Sequence, residues 1–167
     1  SAMKSGYTAA RILLAFSWGV VFVLALAAPL VLARGRADAL PLYLGFSFFC
    51  HQLPERSFAL AGLPLAVCHR CSGVYLGLFA GALLSPLRFP ESLRGRRWWL
   101  LAAALPALVD VALGRAGLWS GSAWSRALSG MFLGYMISPL LVRALAECVQ
   151  RRPSGALRPG TLEGERS

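Results

Sequence analysis

Four apolar runs separated by short polar stretches dominate the pattern of hydrophobic and polar positions along the chain. A helix rises about 1.5 Å per residue, so roughly 20 apolar residues cross a bilayer core of ~30 Å. The second run is interrupted by small residues and crosses only as a short or tilted helix. The pattern predicts membrane-spanning helices at 12–33, 67–87, 98–113 and 127–145.

The composition favours a membrane protein over a soluble one. Hydrophobic residues make up 57% of the 167 residues and charged residues only 14%. A folded soluble domain of this size leaves roughly a third of its potential surface in water, and it cannot hide so much apolar surface. We therefore predict an all-α integral membrane bundle of four helices, with the lipid bilayer as its main partner.

The formal net charge is +10, but the basic residues are spread between the apolar runs, so nucleic-acid binding is not predicted. Lys and Arg instead predict topology, because they favour the cytoplasmic side of a membrane. With both termini inside, eleven of the 17 basic residues are cytoplasmic and six are not. The predicted location is the cell (inner) membrane, with both termini cytoplasmic and the loop between the first two spans extracytoplasmic. The inverted orientation is the alternative.

Both ends of the sequence are predicted to lie outside the folded part. Residues 1–3 resemble a remnant of protease cleavage ahead of the native start, so 4–149 is predicted to be a single transmembrane domain. Residues 150–167 are rich in Arg, Pro, Gly and Glu, a composition typical of a disordered tail, here cytoplasmic.

Glycines at four-residue spacing occur in the second and fourth predicted spans. They are Gly73, Gly77 and Gly81 in one and Gly130 and Gly134 in the other. Such ridges allow helix backbones to approach closely in a membrane, where no hydrophobic effect drives helices together. We expect the first three glycines to lie inside the bundle.

The segment 40–67, between the first two spans, has two apolar arms around a polar centre. Each arm has about eleven residues, too few to cross a bilayer. The segment is therefore predicted to lie in the outer interface or to re-enter the membrane there.

Cysteine and histidine residues cluster in and after this segment. Cys50 and His51 lie at its centre, and Cys68, His69 and Cys71 follow at the start of the second predicted span. Thiolates and imidazoles in tetrahedral sets are the ligands of zinc, and a helix N-terminus together with Arg70 favours the thiolate form. The predicted metal ligands are Cys50, His51, Cys68 and Cys71, with the three sulfurs within roughly 4 Å of one another.

The strings CHQLPERSF at 50–58 and CHRCSGVY at 68–75 resemble the signature of the domain of unknown function 2085 family, small membrane proteins of bacteria and archaea. The resemblance covers roughly residues 40–137 and includes a later intramembrane aspartate, here Asp110. Val111 stands where the family often has glycine. His69 stands where it often has a small residue, which makes His69 a weaker ligand candidate than His51. The family name implies no activity.

Asp110 is the ionisable residue in the third predicted span, and such a residue marks a functional site by default. Two interpretations are open. Asp110 is either a member of the site or, near the outer end of its helix, the partner of Arg115 or Arg126.

Three chemistries fit this pattern. In the first, zinc with an open coordination position activates water to attack a lipid or amphipathic substrate. Glu55 or Asp110 is then the predicted general base, and Arg56 or Arg70 holds a phosphate or carboxylate of the substrate.

In the second chemistry, a closed zinc site with three cysteines and one histidine is structural, and the protein is a non-enzymatic membrane binding or transport protein. A transport path through so small a bundle would call for a homodimer. In the third, Cys68 and Cys71 form a redox pair, with Cys50 as exchange partner and a quinone among the helices. The loop 114–125 holds no second cysteine pair, which favours metal over redox chemistry.

Overall fold

The computed structural model describes residues 2–84, 93–119 and 121–150. Over these residues the chain is mainly helical, with one two-stranded antiparallel sheet. In chain order the elements are α1 (Ala2–Ala33), α2 (Ala39–Ser47), a 3-10 helix (Pro54–Arg56), β1 (Ser57–Leu60), β2 (Leu63–Cys68), α3 (His69–Leu84), α4 (Leu93–Arg115) and α5 (Ala123–Gln150).

Three helices in the described part of the chain are long and apolar enough to cross a membrane. They are Gly6–Ala33 in α1, Arg97–Arg115 in α4 and Ala123–Val149 in α5. These ranges contain the predicted spans 12–33, 98–113 and 127–145. Large apolar side chains such as Phe16, Leu105 and Leu128 are exposed on their outer faces, as expected for helices that contact lipid.

The second predicted span, 67–87, begins later than expected. Val67 belongs to β2 and α3 begins at His69. With 16 residues, α3 is about 24 Å long. Leu87 and the tail 151–167 lie outside the described residues, as does Ser1, whereas Ala2 and Met3 open α1.

The all-α prediction is wrong at 57–68, where β1 and β2 form a hairpin. Ala61 and Gly62 connect the strands with positive φ angles of 54° and 78°. Two-residue turns with both residues at positive φ match the right-handed twist of paired strands, so this turn closes the hairpin. The apolar arm after Arg56 therefore folds into this two-stranded hairpin.

The glycines of α3 lie inside the bundle, as expected, and the helix they contact is α5. A Cβ atom on Gly73, Gly77 or Gly81 would overlap backbone or Cβ atoms of α5, and one on Gly130 or Gly134 would overlap the backbone of α3. Successive glycines of α3 meet successively later residues of α5, so the two helices run parallel with their backbones in contact. All three glycines of α3 are buried.

The other helices run antiparallel to this pair. Arg11, near the start of α1, donates hydrogen bonds to the carbonyls of Ala82 and Leu83 at the end of α3. Trp99, near the start of α4, donates to the Met136 carbonyl in the second half of α5. The end of α1, the start of α3, the end of α4 and the start of α5 therefore meet at one end of the bundle, together with α2 and the hairpin.

Candidate metal centre and adjoining cavity

Three cysteines from three different elements converge at this end of the bundle. Cys50 follows α2, Cys68 ends β2, and Cys71 lies in the first turn of α3. Their sulfur atoms all lie within 4.8 Å of one another, and Cys50 is buried. Bonds of ~2.3 Å to one tetrahedral ion place sulfurs roughly 4 Å apart, so small side-chain movements would bring them to ligating distance.

Hydrogen bonds within this cluster favour the thiolate form of Cys68. The backbone N–H of Cys68 donates to Cys50 Sγ over 3.1 Å. A hydrogen bond from the Cys71 side chain, supported by backbone groups of Cys71 and Arg70, lowers the pKa of the Cys68 thiol from 9.0 to about 5, against the opposing effect of burial. The lowered pKa favours the thiolate form of Cys68, which is the form that binds a metal ion.

The loop that carries Cys50 is fixed by Gln52. This residue has a positive φ of 48°, and its Nε2 donates to the carbonyls of Tyr43 at 2.7 Å and Ala66 at 2.8 Å. The Tyr43 hydroxyl donates to the Pro64 carbonyl at 2.6 Å. Helix α2 and strand β2 are thereby tied together around Cys50. Sequence reasoning treated Gln52 only as part of a motif and missed Tyr43, because neither shows a signal of cross-element hydrogen bonding.

The two histidines occupy different positions. His51 is exposed and lies outside the group of three sulfurs, although it lines the neighbouring cavity. His69 is buried with its ring edge-on to Phe58, at a centroid distance of 4.4 Å. Its Nδ1 has no hydrogen-bond partner among the described residues. The group of converging ligand atoms thus consists of sulfurs alone.

The cysteine cluster opens onto a cavity of about 710 Å³. All three cysteines, His51 and His69 line it. Its formally charged lining residues are Arg56, Arg70, Arg115, Arg126 and Asp110. Four cationic side chains face one carboxylate, so the cavity wall is suited to an anionic ligand.

Asp110 is both an arginine partner and a member of the cavity wall. It accepts a hydrogen bond from Arg70 in an ion pair, and Ser125 Oγ lies 3.4 Å from its Oδ1. The side chain of Asp110 is 10% exposed and that of Arg70 is 32% exposed. Arg115 and Arg126, the partners expected from the sequence, line the same cavity.

The remaining predicted site residues differ in their relation to the cavity. Arg56 lines it, whereas Glu55, in the 3-10 helix, is exposed and is not among the lining residues. Of the two predicted general bases, Asp110 therefore faces the cavity beside the cysteines and Glu55 does not.

Comparison with known proteins identifies the family of this chain. Residues 50–140, more than half of the chain, match the family described as "Predicted membrane protein (DUF2085)". The chain belongs to this family. The predicted family membership is thereby confirmed, and the matched region begins at Cys50 and includes α3, α4 and most of α5.

Two curated relatives are uncharacterized archaeal proteins. One, from Methanocaldococcus jannaschii, is 29% identical over 113 residues, which cover 66% of this chain and 72% of that protein. The other, from Methanothermobacter thermautotrophicus, is 43% identical over 47 residues, covering 26% of this chain and 42% of that protein. No solved structure matches. The chain is thus a membrane protein with a cysteine cluster able to hold a metal ion, and its chemistry must be argued from the site.

Proposed function

We propose that this protein is a zinc-dependent membrane enzyme that hydrolyses a lipid or amphipathic substrate. Cys50, Cys68 and Cys71 would hold the ion at the wall of the cavity. One observation carries the proposal: three sulfurs from separate elements converge on the wall of a cavity lined by four arginines. Catalytic zinc sites typically use three protein ligands and leave one position open, whereas structural sites are closed by four.

The number and placement of the sulfurs favour a metal over a redox pair. A disulfide joins two sulfurs, whereas here all three lie within 4.8 Å of one another. A backbone N–H also donates to the sulfur of Cys50, a type of outer contact that orients and tunes metal ligands. In the quinone-linked alternative, Cys68 and Cys71 form the redox pair and Cys50 serves as the exchange partner.

The residues around the cysteines would bind and orient the substrate. The arginines hold an anionic group of the substrate, and Asp110 keeps Arg70 in position through their ion pair. Asp110 is also the carboxylate among the described residues of the cavity wall, so of the two predicted general bases it is the one that adjoins the cysteines. When bound, zinc supplies Lewis acidity to the reaction.

We also propose that α3 is a fourth membrane span and that the cysteine end faces away from the cytoplasm. In support, α3 runs antiparallel to α1 and packs between α1 and α5, and its length of about 24 Å suits a short span. Exposed aromatic residues at the cysteine end, namely Phe48, Phe49, Trp119 and Trp124, suit a membrane interface.

Labelling tests this topology. An impermeant maleimide should react with a cysteine introduced at Ser122, beside the cavity, in intact cells. It should react with the native Cys148, at the other end of α5, only after the cells are permeabilised. The reverse pattern would show that the inverted orientation is correct.

Elemental analysis of the purified protein tests the metal. We expect about one zinc ion per chain in the wild type, as a single site requires, and none in Cys68→Ser. Cys148→Ser is the matched control, because its thiol lies at the opposite end of the bundle, and it should retain zinc. Absence of stoichiometric metal together with a Cys68–Cys71 disulfide would replace this proposal with the quinone-linked one.

Removal of zinc with a chelator tests whether the ion orders the segment around Arg56, which the membrane-spanning helices alone would not do. Ligation contributes ~10 kcal/mol or more to ordering a segment, so removing zinc should expose the chain around Arg56 to protease while α1, α4 and α5 persist. Unchanged cleavage at Arg56 would contradict a metal-ordered segment.

A lipid profile distinguishes an enzyme from a structural zinc protein. The zinc-loaded protein is incubated with a total membrane lipid extract, and the lipids are followed by mass spectrometry. Hydrolysis of one lipid class by the wild type, but not by Cys68→Ser, supports the enzyme. Zinc retention without any altered lipid would leave the closed, structural role as the better description.

A further inference from the structure

A second hollow adjoins the cysteine cavity. It is a shallow groove of about 390 Å³ between α4 and α5, and Asp110 and Trp119 line both it and the cavity. The groove wall is formed by Pro106, Val109 and Leu113 of α4 and by Leu128, Ser129 and Phe132 of α5. The two spaces therefore adjoin at Asp110 and Trp119.

The two spaces differ in polarity. Four arginines line the cavity, whereas apart from Asp110 the groove carries no charged residue among those that line it. The groove also leads away from the cysteine end of the bundle: Pro106 lies four residues before Asp110, about 6 Å along α4 towards its start. The apolar groove thus begins beside the arginine-lined cavity and runs along α4 and α5, two helices that are long and apolar enough to cross a membrane.

The wall of the cavity also contains a hydrogen-bond donor without an acceptor. Nε of Arg70 is buried and has no hydrogen-bond partner among the described residues, although the same guanidinium pairs with Asp110 through another nitrogen. A buried N–H without a partner is costly, and an oxyanion in the cavity would supply the missing acceptor.

We propose, resting on the function proposed above, that cavity and groove form one site for a single membrane lipid with an anionic phosphate head group. The phosphate lies against the arginines, beside the cysteines, and one acyl chain lies in the groove between α4 and α5. The substrate class is thereby an anionic phospholipid.

The apolar rim favours a lipid over a free phosphate ion. Phe49, which lines the cavity, is 81% exposed, and Trp119, at the junction with the groove, is 51% exposed. A free phosphate ion would contact the arginines, but it would not contact the groove or the exposed aromatic rings of Phe49 and Trp119. A lipid in the bilayer reaches both directly, because α4 is exposed along most of its length.

Binding to the delipidated, zinc-containing protein in neutral detergent tests the proposal, with native mass spectrometry as the readout. The probes are dioleoyl phosphatidic acid, its short-chain dihexanoyl analogue, dioleoyl phosphatidylcholine and inorganic phosphate. We expect one dioleoyl phosphatidic acid to bind at least about tenfold more tightly than either the phosphatidylcholine or inorganic phosphate.

Two matched pairs of variants separate the parts of the site. Val109→Trp fills the groove, whereas Leu108→Trp places the same bulk on the neighbouring position of α4, outside the groove lining. Arg115→Gln removes a charge from the cavity, whereas Arg97→Gln removes one from an exposed position at the other end of α4.

Val109→Trp should weaken dioleoyl phosphatidic acid binding about tenfold and leave the short-chain analogue unaffected, while Arg115→Gln should weaken both by a similar factor. Leu108→Trp and Arg97→Gln should bind like the wild type. Equal binding of phosphatidylcholine, inorganic phosphate as tight as the lipid, or equal effects within either pair would overturn the proposal. Zinc content is measured on every sample, so loss of lipid binding with zinc retained contradicts the lipid site alone, whereas absence of zinc from the wild type contradicts the metal site alone.

Discussion

Helix α5 contacts α3 and α4 in opposite ways. Against α3, glycines bring the backbones together, and Ser138 donates a buried hydrogen bond to the Leu78 carbonyl at 2.9 Å. Against α4, side chains stand between the helices and a groove of about 390 Å³ remains. The α3–α5 pair fixes the start of α3, where Cys68 and Cys71 lie, and the α4–α5 pair leaves room for a ligand beside them.

This difference follows from composition. Close approach of helices in a membrane depends on small residues, and α3 has a glycine at every fourth position along the contact. The part of α4 that faces α5 carries Pro106, Val109 and Leu113 instead. One face of α5 thus packs tightly on α3 and holds the cysteine end in place, whereas another face leaves the groove open towards α4.

Gly77→Ala should break the α3–α5 contact and have the largest effect. The new Cβ would overlap the backbone carbonyl of Met131, which cannot move without moving α5. We expect a loss of about 3 kcal/mol in the free energy of unfolding, measured by SDS titration in mixed micelles, because backbones must separate.

Gly45→Ala is the matched control for this variant. Gly45 is also helical, in α2, and no atom lies within 4 Å of the position of its missing Cβ. Alanine is the better helix former, so this change should be neutral or stabilising by up to about 1 kcal/mol. Equal stabilities of the two variants would mean that α3 and α5 are not in backbone contact.

The α3–α5 contact was largely predictable, whereas the α4 side was not. Glycine spacing is a local pattern with a known packing consequence, so Gly73, Gly77 and Gly81 were expected inside the bundle. The pairing of Asp110 with Arg70 joins residues 40 positions apart and depends on how α4 docks, which no local pattern encodes.

The segment with Cys50 shows a further limit of sequence reasoning. Cys50, Cys68 and Cys71 were identified from the sequence because cysteines at this spacing are typical of metal sites. The structure brings their sulfurs together. The hairpin at 57–68 was missed because its apolar strands also fit an interfacial arm, and the positive φ of Ala61 is unusual for a residue other than glycine. The cavity itself depends on the packing of α3, α4 and α5, so only its residues, and not its volume, could be anticipated.

Asp110→Asn tests what ties α4 to the α3–α5 pair. The substitution removes the charge that pairs with Arg70, and both side chains are partly or largely buried. We expect a loss of about 1–3 kcal/mol in the free energy of unfolding, since an arginine is left without its carboxylate in a poorly hydrated site.

Asp38→Asn is the control for this change. Asp38 pairs with Arg36, and both side chains are 67% exposed. Exposed ion pairs contribute little, so this variant should stay within about 0.5 kcal/mol of the wild type. If both aspartate variants showed the same small loss in the free energy of unfolding, the Asp110–Arg70 ion pair would not stabilise the docking of α4 on α3.

Trp99→Phe should have the smallest effect, because it removes a single hydrogen bond at the other end of the α4–α5 contact. The indole Nε1 of Trp99 donates to the Met136 carbonyl at 2.8 Å, inside the sequence range of α5 that is long and apolar enough to span a membrane. Phenylalanine keeps an aromatic ring but cannot donate, so the carbonyl loses this partner, at a cost of about 1 kcal/mol.

Trp98→Phe provides the comparison, because Trp98 is 65% exposed and the change alters mainly its contact with lipid or water. That variant should lie within about 0.5 kcal/mol of the wild type, as is usual for exposed positions. Because Trp99 lies far from the cavity, Trp99→Phe should also leave zinc content and phosphatidic acid binding unchanged. A loss of lipid binding in Trp99→Phe would mean that the groove depends on how α4 is held along its whole length and not only on the residues that line it.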